Sequence, residues 1–183
     1  LTQTYAMSHR ATDPQAAETD PANLLWHRVP VRRLEAEAIR DATLVISGRF
    51  DPAVGGPPVA AHLTEFVVGR GRPEKSGPLD GQGRRTLYLE VRRNFLPTTL
   101  LTFDSPTPFS TVGRRNVTNV PAQALALMND PFFHEQAAVW AGRLIREVLA
   151  EDAETRIRWL YETAFARLPS ASELAACQDS LRE

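Results

Sequence analysis

The residues best suited to chemistry lie in one short span, Phe103-Asp104-Ser105-Pro106 followed by Gly113 to Pro131. Asp104, Arg114, Arg115, Asn116, Thr118, Gln123 and Asn129 bring a carboxylate, two guanidiniums, three amides and a hydroxyl beside a very apolar helix, and Asp130 closes the span. A guanidinium facing a carboxylate makes a bidentate, charge-assisted pair of fixed geometry. Such a set has two readings. One is a polar network that satisfies buried groups and caps two helices. The other is a ligand site for a carboxylate, a sulfate or a sugar. Asp104 and Asp130 are also the residue types of a glycosidase pair, which works at separations of roughly 5–9.5 Å. Both aspartates have simpler roles as loop anchor and helix cap.

The other reactive side chains lack partners in the sequence. Cys177 is the only cysteine, so it forms no internal disulfide, and no Cys-x-x-Cys-His run attaches a haem. It is expected as a buried apolar thiol. His9, His27, His62 and His134 are too scattered for metal-ligand spacing. Ser47 and Ser110 sit in no Gly-x-Ser-x-Gly elbow. Gly55-Gly56-Pro57-Pro58 lacks the Lys and Ser/Thr of a phosphate loop. The pairs Arg84-Arg85, Arg92-Arg93 and Arg114-Arg115 form either an anion-binding surface or an ion-paired, solvated face, and the balanced charge favours the second. Of the three tryptophans, Trp140 falls in a core stripe, Trp159 falls beside one, and Trp26 is open.

Several elements must position these groups. Residues 1–30 read as an irregular lead-in, with turn signals at Thr12-Asp13-Pro14 and Thr19-Asp20-Pro21 and with Leu24, Leu25 and Trp26 docking onto apolar surface. Residues 31–183 read as a single helical domain. A helix spans about Val31 to Ser47, burying Leu34, Ala38, Ala42, Val45 and Ile46. Arg33, Glu37 and Arg40 lie on its opposite side, and Gly48 caps it. Residues 48–83 hold eight of the ten glycines and five prolines, a long irregular excursion with one short strand over Leu63 to Val68. Within 84–104, residues 86–92 alternate apolar and polar with period two, and 99–103 offer a second strand, giving a small antiparallel β element. Residues 118–183 are helical. Val120 to Met128 is expected to be buried all round, capped by Thr118 or Asn119 with Pro121 in its first turn. Asp130-Pro131 opens a helix whose stripe is Phe133, Ala137, Trp140, Leu144 and Val148. Asp152 to Arg167 follows, with Ile157, Leu160, Tyr161, Ala164 and Phe165 inward. Ser170-Ala171-Ser172-Glu173 is a capping box for the last helix. The fold class is therefore mainly α: a helical domain with a small antiparallel β element and a long Gly/Pro-rich excursion.

Composition narrows the function. With 183 residues, 43% hydrophobic and 23% charged, the chain can bury a sizeable core. Its net charge of −1 argues against nucleic acid as a partner. No apolar run reaches membrane-spanning length and no signal peptide is visible. A first residue of Leu1 and a last helix of barely three turns read as a fragment of a larger protein.

Several of these segments together resemble a known family, the planctomycete domain-of-unknown-function family 1553. They are residues Arg32 to Ala42, Ser47-Gly48, Gly55-Gly56-Pro57, Arg84 to Leu89, Phe103 to Pro106, Arg114 to Thr118, Pro121 to Leu125, Asn129 to Pro131, Arg156 to Tyr161 and Arg167 to Ser170. The resemblance covers about residues 20–183, and motifs recurring in order make it specific. It implies the C-terminal domain of a large extracytoplasmic protein, periplasmic or at the cell surface, that often carries a cytochrome-c-like domain. Activity is not established for that family. The implied role is a non-catalytic binding or scaffold module, using the Arg114-Arg115 loop and the 48–83 excursion as contact surface. Its partners would be other parental domains and a polysaccharide or an anionic ligand. The alternative is a polysaccharide hydrolase or lyase using Asp104 with Arg114 or Arg115. No cofactor is expected in this chain, and a c-type haem would belong elsewhere in the parent. Ala166 stands where the family pattern Gly-Arg-x-Pro has its glycine.

Overall fold

The computed structural model describes residues 7–10, 13–109, 111–149 and 152–182; Thr12 and Ser110 lie outside them. The chain divides into two compact units, Leu1–Leu34 and Glu35–Glu183.

In the first unit, Asp13 opens a helix where a turn was expected. Its carboxylate accepts from Gln15 N, Pro14 suits the first turn, and α1 runs Pro14–Thr19. Asp20 then accepts from the backbone N–H of Leu24 and Leu25 at 2.9 and 2.7 Å. Asn23 bonds both backbone groups of Arg28. These side chains supply what an irregular segment lacks in backbone bonding. Leu24 and Leu25 are exposed, contrary to the docking expected of them.

The second unit is mainly helical. Helix α2 is Ala36–Ser47, ended by Gly48 at φ 82° with its N–H on Leu44 and Val45 carbonyls. It starts later than the pattern predicts: 31–35 are outside the helix, and Glu35 before it is extended. Its buried residues are Ala36, Arg40, Leu44 and Ser47, a stripe one face round from the expected one. Helix α3 is Thr98–Thr102, α4 is Pro121–Asn129, α5 is Pro131–Glu147, α6 is Ala153–Phe165 and α7 is Ala171–Ser180. Helix α2 packs against α5 and α3, α4 against both α3 and α5, and α6 against α5 and α7. Ala36, Leu44, Phe103, Phe132 and Phe133 form the core, with Ile39, Phe50, Leu79, Leu100 and Ala126 around it. The phenylalanines meet edge to face, Phe132 on Phe133 at 5.2 Å and Phe103 on Phe133 at 6.5 Å, the arrangement ring quadrupoles favour.

The expected strands are replaced. Residues 86–92 begin as a 3-10 turn, Thr86–Tyr88, because Thr86 is fastened to Asp41 through its N–H and its hydroxyl. Leu87 and Val91 are exposed, so alternation had no face to bury. Residues 99–103 form α3 instead: Leu101 N bonds Pro97 O, and Thr102 Oγ1 bonds Thr98 O. Leu63 to Val68 holds a turn, Val67 N on Thr64 O. Pairing among the described residues is confined to isolated bridges, Asp51 with Arg84, Val59 with Leu89 and Arg92 with Phe95. The first two tie the excursion to the segment that follows it. At Gly83, φ is 73° and a Cβ would strike the carbonyl oxygen of Arg49, so only glycine fits this close crossing.

Helix α4 departs furthest from expectation. Its only buried residue is Gln123, at 4% exposure, while Leu125 and Met128 are 58% and 67% exposed. The helix is largely inside out: its buried side chain is the Gln123 amide, while Leu125, Leu127 and Met128 are exposed. Its N-cap is Val120, without a side-chain cap bond. Asp130 and Pro131 start α5 as expected, Asp130 accepting from Phe132 N at 2.9 Å. Ala137 of the expected α5 stripe is exposed, and Gln136 is buried in its place. The Ser170–Glu173 capping box is present. Phe165, expected inward on α6, is exposed, and Cys177 is half-buried.

Candidate functional site

The expected site residues fall into separate clusters. Asp104 follows α3 at φ 63°, a left-handed position that Asp tolerates better than most residues. Its carboxylate accepts from Thr118 N at 2.7 Å and from Thr118 Oγ1 at 2.9–3.0 Å. Gln123 Nε2 reaches Thr118 Oγ1 at 3.0 Å and Thr102 O at 3.1 Å. So Asp104, Thr118 and Gln123 make one chain of bonds joining the end of α3 to the start of α4. This explains why Thr118 does not cap α4.

Arg115 belongs elsewhere. Its guanidinium is bidentate on Glu37, at 2.8 and 3.0 Å, and reaches Glu35 at 3.0 Å. Burial pushes the Glu37 carboxyl up, but the hydrogen bonds and charge of Arg115 hold it below its usual value. Arg115 itself is raised, chiefly by its bonds to Glu37. Asn129 donates to Leu125 O within its own helix at 2.9 Å. Arg114 and Asn116 are exposed. Asp130 accepts from Thr99 and caps α5. The structure thus brings together Asp104, Thr118 and Gln123, and places Arg115 on the Glu35–Glu37 end of α2.

In the other arginine pairs, Arg84, Arg85 and Arg92 each have a partner, and Arg93 is exposed. Arg84 stacks on Tyr88 at 4.4 Å and donates to Gly55 O, and Arg92 meets Glu90 at 3.0 Å. Trp159 lies under the Arg143 guanidinium at 5.3 Å. Among the described residues, no group of three or more His, Cys, Asp or Glu is placed to hold a metal ion.

Sequence reasoning placed Arg40 on the side of α2 away from the core, and the structure buries it. Arg40 is 6% exposed. It donates through Nη1 to Arg84 O at 2.9 Å and Thr86 Oγ1 at 3.1 Å, and through Nη2 to Asp80 O at 2.7 Å. Its guanidinium lies 5.7 Å from the centre of the Phe132 ring. Burial lowers its pKa, against the opposing pull of Asp41 and Asp80. Asp80 in turn accepts from Gln82 N and from Arg49, 2.9 Å each. The signal was available: Ala36, Arg40 and Leu44 follow one another at four-residue spacing on a single helix face.

Beside this clamp, a pocket of about 380 Å³ opens between α2, the Thr86–Tyr88 turn and α3. Asp41 and Glu37 line it together with Leu89, Leu96, Pro97 and Leu100.

The second unit is mainly helical, bonds several of its polar side chains to one another and leaves aliphatic side chains of α4 exposed. The family model for PSD1, described as Protein of unknown function (DUF1553), matches residues 1–181, and the chain belongs to this family. No curated protein and no solved structure matches it.

Proposed function

We propose that this domain is a non-catalytic binding or scaffold module of a larger extracytoplasmic protein, one that accompanies cytochrome-c-like domains and docks against other parts of its parent. The carrying observation is the inverted helix α4. Leu125, Leu127 and Met128 stand in solvent with Val117 and Val120 beside them, while the helix's one buried side chain is an amide. Exposed aliphatic residues grouped on one element mark a contact surface, since scattered ones would need no explanation. Phe66 and Val68 of the excursion are also exposed, which supports its use in contact.

A polysaccharide hydrolase or lyase built on Asp104 with Arg114 or Arg115 finds less support. Asp104 is occupied by Thr118, and Arg115 by Glu35 and Glu37. A polysaccharide or anionic ligand would need an aromatic platform or a cationic cluster. Trp159 has one face covered, and Arg84, Arg85, Arg92 and Arg115 each lie beside a carboxylate.

The test is made in the intact parent. Leu125→Glu with Met128→Glu changes only exposed positions and should leave the unfolding temperature unchanged. It should abolish docking of this domain on the remaining polypeptide, read by cross-linking between the two parts. Docking that survives both charges rejects α4 as the contact face.

A further inference from the structure

We propose that the pocket between α2, the Thr86–Tyr88 turn and α3 binds an aliphatic stem ending in a cationic nitrogen, an amine or guanidinium. This goes beyond the docking role of α4 and uses different residues.

The pocket volume of about 380 Å³ lies within the range of small-ligand sites, roughly 300–1,000 Å³. Its walls are aliphatic, with Leu89, Leu96, Pro97 and Leu100 among them, and no Phe, Tyr or Trp lines it. A flat sugar face or an aromatic base therefore has nothing to stack on, whereas an alkyl stem has surface to bury.

The polar end decides the head group. Glu37, Asp41 and Glu90 line the pocket against one cation, Arg85. Glu37 is already bidentate on Arg115, and Glu90 faces Arg92 at 3.0 Å. Asp41 differs. Its Oδ1 accepts Thr86 N at 2.8 Å and Thr86 Oγ1 at 2.6 Å, with Arg40 Nη1 at 3.5 Å. Among the described residues its Oδ2 accepts no hydrogen bond; Arg85 Nε lies 3.9 Å away, too far for one. The Asp41 side chain is only 22% exposed. One oxygen is thus pinned to a buried threonine and the other is held in place with acceptor capacity to spare. Such a carboxylate is prepared for a charged N–H donor at little ordering cost. A carboxylate or sulfate entering the same space would meet three carboxylates and one arginine.

The probe is hexylammonium, with hexanoate and hexanol as chain-matched controls, titrated by calorimetry into this domain and into its parent. Hexylammonium should bind saturably at one site, at least tenfold more tightly than hexanoate or hexanol. Val91→Trp, at the exposed rim of the pocket, should weaken it at least tenfold without shifting the unfolding temperature. Asp41→Asn keeps an oxygen for Thr86 and should remove the preference of ammonium over hexanol. Nα-acetyl-lysine methylamide separates the sources. Tighter binding than hexylammonium assigns the occupant to a lysine side chain of a partner, and weaker binding assigns it to a free amine. Equal affinity for the three hexyl compounds, binding indifferent to Val91→Trp, or no saturation into the millimolar range overturns the proposal. None of these results bears on α4 docking, which is read at other residues and in a different assay.

Discussion

Replacing Arg40 by Met tests whether one buried guanidinium holds the excursion to the helical core. Three hydrogen bonds leave that group, to Arg84 O, Thr86 Oγ1 and Asp80 O. Bonds from charged donors contribute roughly 1.5–3 kcal/mol each before desolvation is counted. Burial of the charge offsets much of that sum, as its lowered pKa indicates. Removing one member of a buried ionic network typically costs about 3–5 kcal/mol, because the remaining groups lose their partner. Methionine restores part of the apolar stem, worth about 1 kcal/mol. The expected loss is therefore about 3 kcal/mol, or roughly 6–12 °C in unfolding temperature for a chain of this size. Arg40→Lys should recover less than half, since one ammonium cannot reproduce the planar fork. Gly81 supplies the internal control. It lies at φ 59°, and a Cβ there would collide with Arg40 Nη2 and sit 2.8 Å from Leu89 Cδ2. Gly81→Ala should cost clearly less in the Arg40→Met background than in the natural protein, and urea unfolding of the four proteins measures that coupling. A loss below about 1 kcal/mol for Arg40→Met, or strict additivity with Gly81→Ala, would refute the clamp.

Three further outcomes follow from single residues. Ala166 ends α6 at φ 52°, where a residue with a Cβ is strained by roughly 1–2 kcal/mol; Ala166→Gly should stabilise by about 0.5–1 kcal/mol after glycine's extra entropy, and a lower unfolding temperature contradicts it. Glu173 is held from its ordinary 4.5 to about 2, first by its bonds to Arg167 and then by the Ser170 N–H. Its folded pKa is depressed, so its contribution is complete above about pH 4.5 and disappears as pH falls through 2; Glu173→Gln should flatten that part of the acid titration of helicity. Asp104→Ala removes the acceptor of Thr118 and leaves alanine at φ 63°, a combined cost of about 2–3 kcal/mol measurable in urea, and undiminished stability would show that Asp104 anchors nothing.

Local signals were the legible part of the fold. Gly48, Pro121, Asp130-Pro131 and Ser170-Glu173 each act through neighbouring backbone, so their roles follow from spacing alone. The strand expected at 86–92 failed because a period of two implies a strand only where a second surface covers one face. Here Asp41 captures Thr86 from a helix 45 residues away, and Leu87 and Val91 stay uncovered. The site was legible only in part. Asp104, Thr118 and Gln123 lie close enough in sequence to be grouped by eye, and they do meet. Arg115 sits beside them in sequence but is claimed by Glu35 and Glu37 from the start of α2, a long-range match that no local pattern encodes. The substitution at Ala166 was visible as a departure from the family pattern. Its consequence emerged only with the left-handed backbone there.

The inverted helix α4 ties these observations together. Composition alone made it a core helix, because burying aliphatic side chains is the default way to stabilise one. The structure instead turns the Gln123 amide inward, joining Thr118 to the end of α3, and leaves Leu125 and Met128 to solvent. A helix whose apolar side chains are uncovered gains little packing energy from its own domain. The polar groups around it are meanwhile bonded to one another, which ties the end of α3 to the start of α4. Preordering of that kind lowers the entropic cost of association. A site for a charged donor needs an acceptor left under-bonded until its ligand arrives. Asp41 Oδ2 comes nearest to that condition among the acidic groups of its pocket, and the aliphatic walls around it suit recognition of an alkyl cation more than chemistry on one.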